Sequence, residues 1–208
     1  MAQILKEESR LAIIEAAKEE FLEKGYKDAS MRTIAKKANM TVGNLYRYFD
    51  NKEDIIYQIV GPTLNKINDV VKEMTQNTIS LETRVFSVKY DAQQLRKMFD
   101  SLAEQMVDIY FENKTEFNIL LLHSKINDDI TDWFTKLVND VISSSYRIDI
   151  YHHEVYLLSR AYAISIFDGL RELFKNADID SKTLKQLCII YFRTYVYMLD
   201  ADVKNFLG

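Results

Sequence analysis

Between Ser30 and Lys52 the chain reads SMRTIAKKANMTVGNLYRYFDNK, two short helical patterns divided by a turn. Ser30 is placed to cap a first helix whose apolar face is Met31, Ile34, Ala35 and Ala38, a spacing that suits a period of about 3.6 residues. Asn39 and Met40 make the turn. Thr41 then caps a second helix, over residues 42–48, with Leu45 and Phe49 facing inward and Asn44, Arg47 and Tyr48 facing elsewhere. The small Ala35 and Ala38 let the two helices cross closely. Asp50-Asn51 stops the second helix, and Asn51 caps a third that opens with Lys52, Glu53 and Asp54. The unit has the form of a helix-turn-helix.

Charge points to what this unit touches. From Lys24 to Lys52 there are seven basic residues (Lys24, Lys27, Arg32, Lys36, Lys37, Arg47, Lys52) against Asp28 and Asp50, a local net of +5. The rest of the chain holds 20 basic and 29 acidic residues, so a positive patch sits on an acidic body. Such a patch is an address for phosphate.

The same residues resemble the DNA-binding domain of the tetracycline-repressor (TetR-like) family of bacterial regulators. The matching pattern runs from Ala16-Ala17, Phe21 and Gly25-Tyr26 through Ser30, Ile34-Ala35, Ala38 and Val42 to Leu45-Tyr46, Tyr48-Phe49 and Lys52-Glu53. It covers about the first quarter of the chain, and beyond Val60 no motif matches. Carried over position by position, the resemblance implies that Thr41, Tyr46, Tyr48 and Lys52 contact the DNA backbone. It implies base readout by Val42, Gly43, Asn44 and Arg47, and Ser30 and Arg32 complete the candidate DNA-facing set. Geometry supports the assignment, since a short helix can enter a major groove with its N-terminal half against base edges. Gly43 lets that helix approach closely, at a cost in helix propensity of about 1 kcal/mol relative to alanine. Val42 departs from the polar residues many family members carry there, and suits contact with a thymine methyl.

The rest of the chain reads as helical. One proline and five glycines in 208 residues leave little punctuation for strands, and 48% apolar content is ample for cores. Leu11, Ile14, Ala17 and Phe21 predict an amphipathic helix over residues 8–24, closed by Gly25. The helix opening near Lys52 meets Gly61-Pro62, where a kink or break is expected because Pro62 cannot donate to the Gln58 carbonyl. Residues 77–90 carry a weak pattern, a loop or a short helix. Residues 91–112 predict a long amphipathic helix. Thr115 is placed to cap a short apolar helix ending near His123, and a further helix is expected from about Asp128.

The last two helices, about residues 152–175 and 182–203, are apolar almost all round. A helix apolar on every side is buried on every side, which in a chain this size predicts one face on the protomer core and another on a second copy. Val155, Leu158, Tyr162, Ile166 and Leu170 of the first, with Leu187, Tyr191, Tyr195 and Leu199 of the second, are the expected dimer residues. The resemblance also implies a dimer built from the final two helices.

Other chemistry is thinly represented. Phe99, Met106, Tyr110, Phe117, Leu121, His123, Trp133, Phe134, Tyr162 and Phe167 lie on middle helices that could enclose an effector. A stripe of this kind is also ordinary core, and composition does not choose between a cationic aromatic ligand and a neutral lipid-like one. His152-His153-Glu154 is poorly spaced for one metal ion, because adjacent residues point to different sides of a helix. Cys188 is alone in an apolar run and reads as a small core group. No glycine-rich phosphate loop, G-x-S-x-G, H-E-x-x-H or cysteine pair occurs, so neither an enzyme, a cofactor nor a bound metal is expected. The N-terminus MAQILKEESR and the remaining apolar runs are too short to cross a bilayer, and a soluble cytoplasmic protein is expected.

The expected architecture is all-α, with an N-terminal three-helix helix-turn-helix domain over 1–52 and a helical domain over 53–208 that dimerises and holds an effector. The expected function is a homodimeric transcriptional regulator, a repressor of a palindromic double-stranded operator released by a small molecule. The alternative is a DNA-binding regulator controlled by a protein partner or by no ligand.

Overall fold

The computed structural model describes residues 2–78, 92–146, 153–175 and 178–206. Among them are nine α-helices and no strand: α1 (Ala2–Asp28), α2 (Met31–Lys37), α3 (Val42–Leu45), α4 (Lys52–Thr78), α5 (Ala92–Glu112), α6 (Lys114–Leu121), α7 (Ser124–Tyr146), α8 (His153–Lys175) and α9 (Ser181–Phe206). The segment read as loop or short helix lies largely outside the described residues. The chain separates into two compact units, one formed by Met1–Asn68 with Glu112–Ser124, the other by Asp69–Phe111 with Lys125–Gly208. Compactness therefore draws its line elsewhere than 1–52 and 53–208, because α6 packs on α1.

In the first unit, α1 presents Ile13, Ala16, Ala17 and Phe21 to the core, while Leu11 is 52% exposed. The expected stripe through Leu11 and Ile14 is thus displaced around the helix. Both stripes share Ala17 and Phe21, and the true one hides behind two alanines and a glutamate, Glu20, which is fully buried. Gly25 ends helical geometry as expected: its φ of 71° and ψ of 166° interrupt α1, in a region glycine enters without steric cost. Ile34, Leu45 and Phe49 close the core from α2 and α3, together with Ile55, Ile56 and Val60 of α4.

Pro62 does not break α4, which is helical from Lys52 to Thr78. Proline withholds one donor from the Gln58 carbonyl. Both residues lie on the exposed side of the helix, where water can take the donor's place. The start of α6 also differs from expectation. Asn113 precedes its first residue, Lys114, and the Phe117 N–H reaches the Asn113 carbonyl at 2.9 Å, so Thr115 lies inside the helix instead of capping it.

In the second unit, α5 and α9 run antiparallel. Asp100 takes both prongs of the Arg193 guanidinium, at 3.0 and 2.6 Å, and Asp108 pairs with Lys185 at 2.6 Å. Two residues in ascending order on α5 thus meet two in descending order on α9, which fixes the register. Exposed pairs of this kind add little to stability. The larger contribution comes from the apolar seam, where Phe99 stacks on Phe192 with centroids 5.0 Å apart and Leu184, Cys188 and Val196 are buried. Asp132 of α7 and Arg160 of α8 meet at 2.6 Å.

Candidate nucleic-acid interface

The helix-turn-helix is built by side chains that satisfy the ends of short helices. The Thr33 N–H donates to Ser30 Oγ at 3.1 Å, opening α2. At its other end the Asn39 N–H donates to the Lys36 carbonyl and the Met40 N–H to the Ala35 carbonyl, at 3.1 and 3.0 Å. That paired closure is a Schellman motif, and it needs a left-handed residue after the helix. Asn39 supplies it with φ of 54°. Thr41 then caps α3 by accepting from the Asn44 N–H at 3.2 Å, and Asn51 caps α4 by accepting from the Asp54 N–H at 2.8 Å. Each cap assigned from the sequence here is present.

The second helix is shorter than residues 42–48. It ends at Leu45, and the Arg47 and Tyr48 N–H groups bond to the Asn44 and Leu45 carbonyls in tighter three-residue turns. Leu45 and Phe49 are buried, so the opposite side carries Val42, Gly43, Asn44, Tyr46 and Arg47 toward solvent. Tyr46 is 50% exposed and Arg47 is exposed, while Val42, Asn44 and Tyr48 are half-buried. At Gly43 an added Cβ would meet no atom within 4 Å, so the protein's own packing places no demand on glycine there.

The seven basic groups divide into two sets. Lys37 is drawn inward, 2.8 Å from Glu23 and 3.2 Å from the buried Glu20, and ties α2 to α1. The hydrogen bond from Lys37 lowers the Glu23 carboxyl below its ordinary value, and the same bond raises the Lys37 ammonium. Lys52 closes the end of α1, donating to the carbonyls of Tyr26, Lys27 and Ala29. Burial draws its ammonium below the usual lysine value, opposed by Asp28. At Lys52, where a phosphate contact is expected, the three donors are directed at the protein's own carbonyls. Lys24, Lys27, Arg32, Lys36 and Arg47 are exposed, the outward set.

Two supports were not read from the sequence. Arg10 donates to Gln58 Oε1 at 2.7 Å and lies 5.5 Å from the Phe49 ring centroid, which braces the end of the reading segment. Glu20 and Glu23 lie three apart on α1 and receive Lys37; that spacing was the available signal.

The residues expected around an effector are divided between the two units. Phe117, Leu121 and His123 belong to the first unit, where the His123 ring packs on Tyr26 with centroids 4.4 Å apart and is 3% exposed. In the second unit Phe99 is taken up by Phe192, Tyr110 packs on Phe174 at 5.1 Å, and Trp133 on Phe134 at 4.8 Å. Phe167 is buried, Met106 half-buried, and Tyr162 lines a groove between α8 and α9. Of the expected dimer residues, Val155 and Ile166 are buried in the protomer's own core. Leu158 and Leu187 are exposed, Leu170, Tyr191 and Tyr195 half-buried, and the Leu199 side chain lies outside the described residues. His152 also lies outside them, while His153 and Glu154 are exposed. Among the described residues no helix is long and apolar enough to cross a membrane.

Comparison with known proteins agrees with this geometry. Residues 13–59 match the family described as bacterial regulatory proteins, tetR family. The chain is 23% identical over 184 residues to YhgD, an uncharacterized HTH-type transcriptional regulator of Bacillus subtilis (strain 168), covering 86% of this chain and 92% of that one. It is 36% identical over 67 residues to the fatty acid metabolism regulator protein of the same organism, covering 30% of this chain and 34% of that protein. In fold it is similar to a TetR-like transcriptional regulator from Rhodococcus sp. RHA1, with a TM-score of 0.55 at 14% identity over 88% of this chain and 93% of that one. With the caps, turn and core of residues 30–54 in register and the family match spanning them, residues 13–59 form a helix-turn-helix domain of the kind found in the tetR family of bacterial regulatory proteins.

Proposed function

We propose that the protein is a cytoplasmic, homodimeric repressor that reads a two-fold operator. The observation that carries the reading is the outward side of α3 and the turn after it: Gly43, Tyr46 and Arg47 are exposed, while the other side is buried through Leu45. Thr41, Tyr46 and Tyr48, with Arg32, Lys36 and the N-terminal end at Ser30, grip the backbone, and Val42, Asn44 and Arg47 meet base edges. Lys52 acts by holding the base of the unit. Two such helices related by a two-fold must stand about 34–36 Å apart to meet successive major grooves. Leu157, Leu158, Ile164, Leu187 and Ile190 are exposed on α8 and α9, and this apolar face supports dimerisation there.

Gly43→Ala tests the interface. Alanine is the better helix former and has open space at this position, so thermal stability should hold or rise, while operator binding measured by fluorescence anisotropy should weaken at least tenfold. Unchanged affinity would show that α3 does not approach DNA.

Release by a small effector held among the helices of the second unit is the accompanying proposal. A reading without a small-molecule ligand has its own support, because Phe99 and Tyr110 are engaged with Phe192 and Phe174. A metabolite screen by thermal shift separates the two, since an effector at 100 times its Kd stabilises by about 2.7 kcal/mol.

A further inference from the structure

Leu158, Ala161 and Ser165 of α8 and Tyr191, Thr194 and Tyr195 of α9 line an open groove of about 420 Å³. Three hydroxyls at this apolar place satisfy one another. Tyr191 Oη donates to the Ser165 carbonyl at 2.7 Å, Tyr195 Oη lies 2.6 Å from Ser165 Oγ, and the two tyrosine oxygens are 3.1 Å apart. Each proton in this set has an acceptor within the protomer. The cluster can therefore be covered by apolar atoms without stranding a donor.

Gly169 makes the arrangement possible. A Cβ at this position would stand 1.9 Å from Tyr191 Oη, 2.4 Å from Cζ and 2.9 Å from Cε2. The obstacle is the body of the ring, so the ring itself would have to leave. Displaced, it would swing its hydroxyl away from the Ser165 carbonyl and into the groove.

We propose that Gly169 is a positioning residue for self-association, holding Tyr191 so that the α8–α9 groove stays open to aliphatic side chains of a second copy of this chain. The inference rests on the dimer reading above. The occupant follows from charge and chemistry. Helices α8 and α9 together carry seven basic and five acidic side chains, and four of the basic ones, Arg160, Arg171, Lys185 and Arg193, are paired to Asp132, Asp168, Asp108 and Asp100 within the protomer. With those four cations neutralised inside the protomer, a two-fold axis brings little like charge against itself. The same helices expose side chains that suit the groove, with Ile190 61% exposed.

Sedimentation equilibrium on the full chain tests this with Gly169→Ala, Tyr191→Leu and the double variant, with helicity and Tm recorded alongside. Gly169→Ala is expected to raise the dimer dissociation constant at least tenfold with helicity unchanged. In the Tyr191→Leu background the same alanine is expected to have no further effect, because the obstructing ring is gone. An equal loss in both backgrounds, or none in either, overturns the inference. If Gly169→Ala fails to fold, a folded double variant supports it, and failure of both overturns it. A wild-type chain that stays monomeric at every concentration would instead remove the dimer reading on which the inference stands.

Discussion

The Lys52 ammonium stands 4.5 Å from the centroid of the Tyr26 ring and donates to three carbonyls at the end of α1. A cation at this place offsets the partial negative charge of a helix C-terminus and satisfies carbonyls the helix leaves unpaired. Lys52→Ala should therefore destabilise the first unit by roughly 1.5–3 kcal/mol, the range for a hydrogen bond made by a charged group. It should weaken DNA binding without changing the slope of log K against log salt. A flattened slope in anisotropy titrations would return Lys52 to the phosphate contacts.

Arg32, Lys36 and Arg47 carry the opposite expectation. Each is exposed, and each phosphate they neutralise releases counterions. Arg32→Ala and Lys36→Ala should each flatten the salt slope by about 0.9 and weaken all operator sequences alike. Arg47→Ala should alter base preference as well, by about 1–3 kcal/mol between competing operator variants. Binding to a small operator library at two salt concentrations distinguishes the cases.

Asp180 begins α9 by accepting from the Thr183 N–H at 3.0 Å and the Thr183 hydroxyl at 2.6 Å. Those bonds hold its carboxyl below the ordinary carboxylate range, with the hydroxyl the larger cause. A lowered folded value means the cap contributes fully above the unfolded value, near pH 4, and is lost as pH falls through the folded one. Asp180→Ala should lower Tm at pH 7, and the difference from wild type should shrink on acidification below pH 4. A constant difference by circular dichroism would reject the assignment.

Cys188 is 1% exposed on α9, and burial pushes its thiol up to about 12. A neutral, covered thiol is a poor nucleophile. At pH 8 the native protein should not react with a disulfide reagent over an hour, and one thiol per chain should appear on denaturation. Rapid native labelling would point to a redox role.

The N-terminal unit was legible where local rules decide the structure. Ser30, Thr41 and Asn51 are caps, Asn39 is the left-handed turn residue, and Leu45 and Phe49 are core, because each answers to neighbours within a few positions. The carbonyl partners of Lys52 are not legible, because they lie more than twenty residues upstream, and nothing in a local pattern says whether a lysine faces phosphate or carbonyl. Leu11 was misread for a related reason: two stripes sharing Ala17 and Phe21 satisfy the same period, and only packing selects one. That Val155 and Ile166 are buried in their own protomer is not legible either, because an all-apolar helix does not record which of its faces meets it.

Helix α3 is a single turn of four residues, and its foothold is Leu45, fully buried beneath it. On the proposed reading, anchorage and address are thereby kept in different side chains. Val42, Asn44 and Arg47 can be exchanged with little disturbance to the scaffold, since Asn44 serves the cap only through its backbone. A lineage carrying this protein could follow drift in its target sites by changing three positions, without first acquiring spare stability.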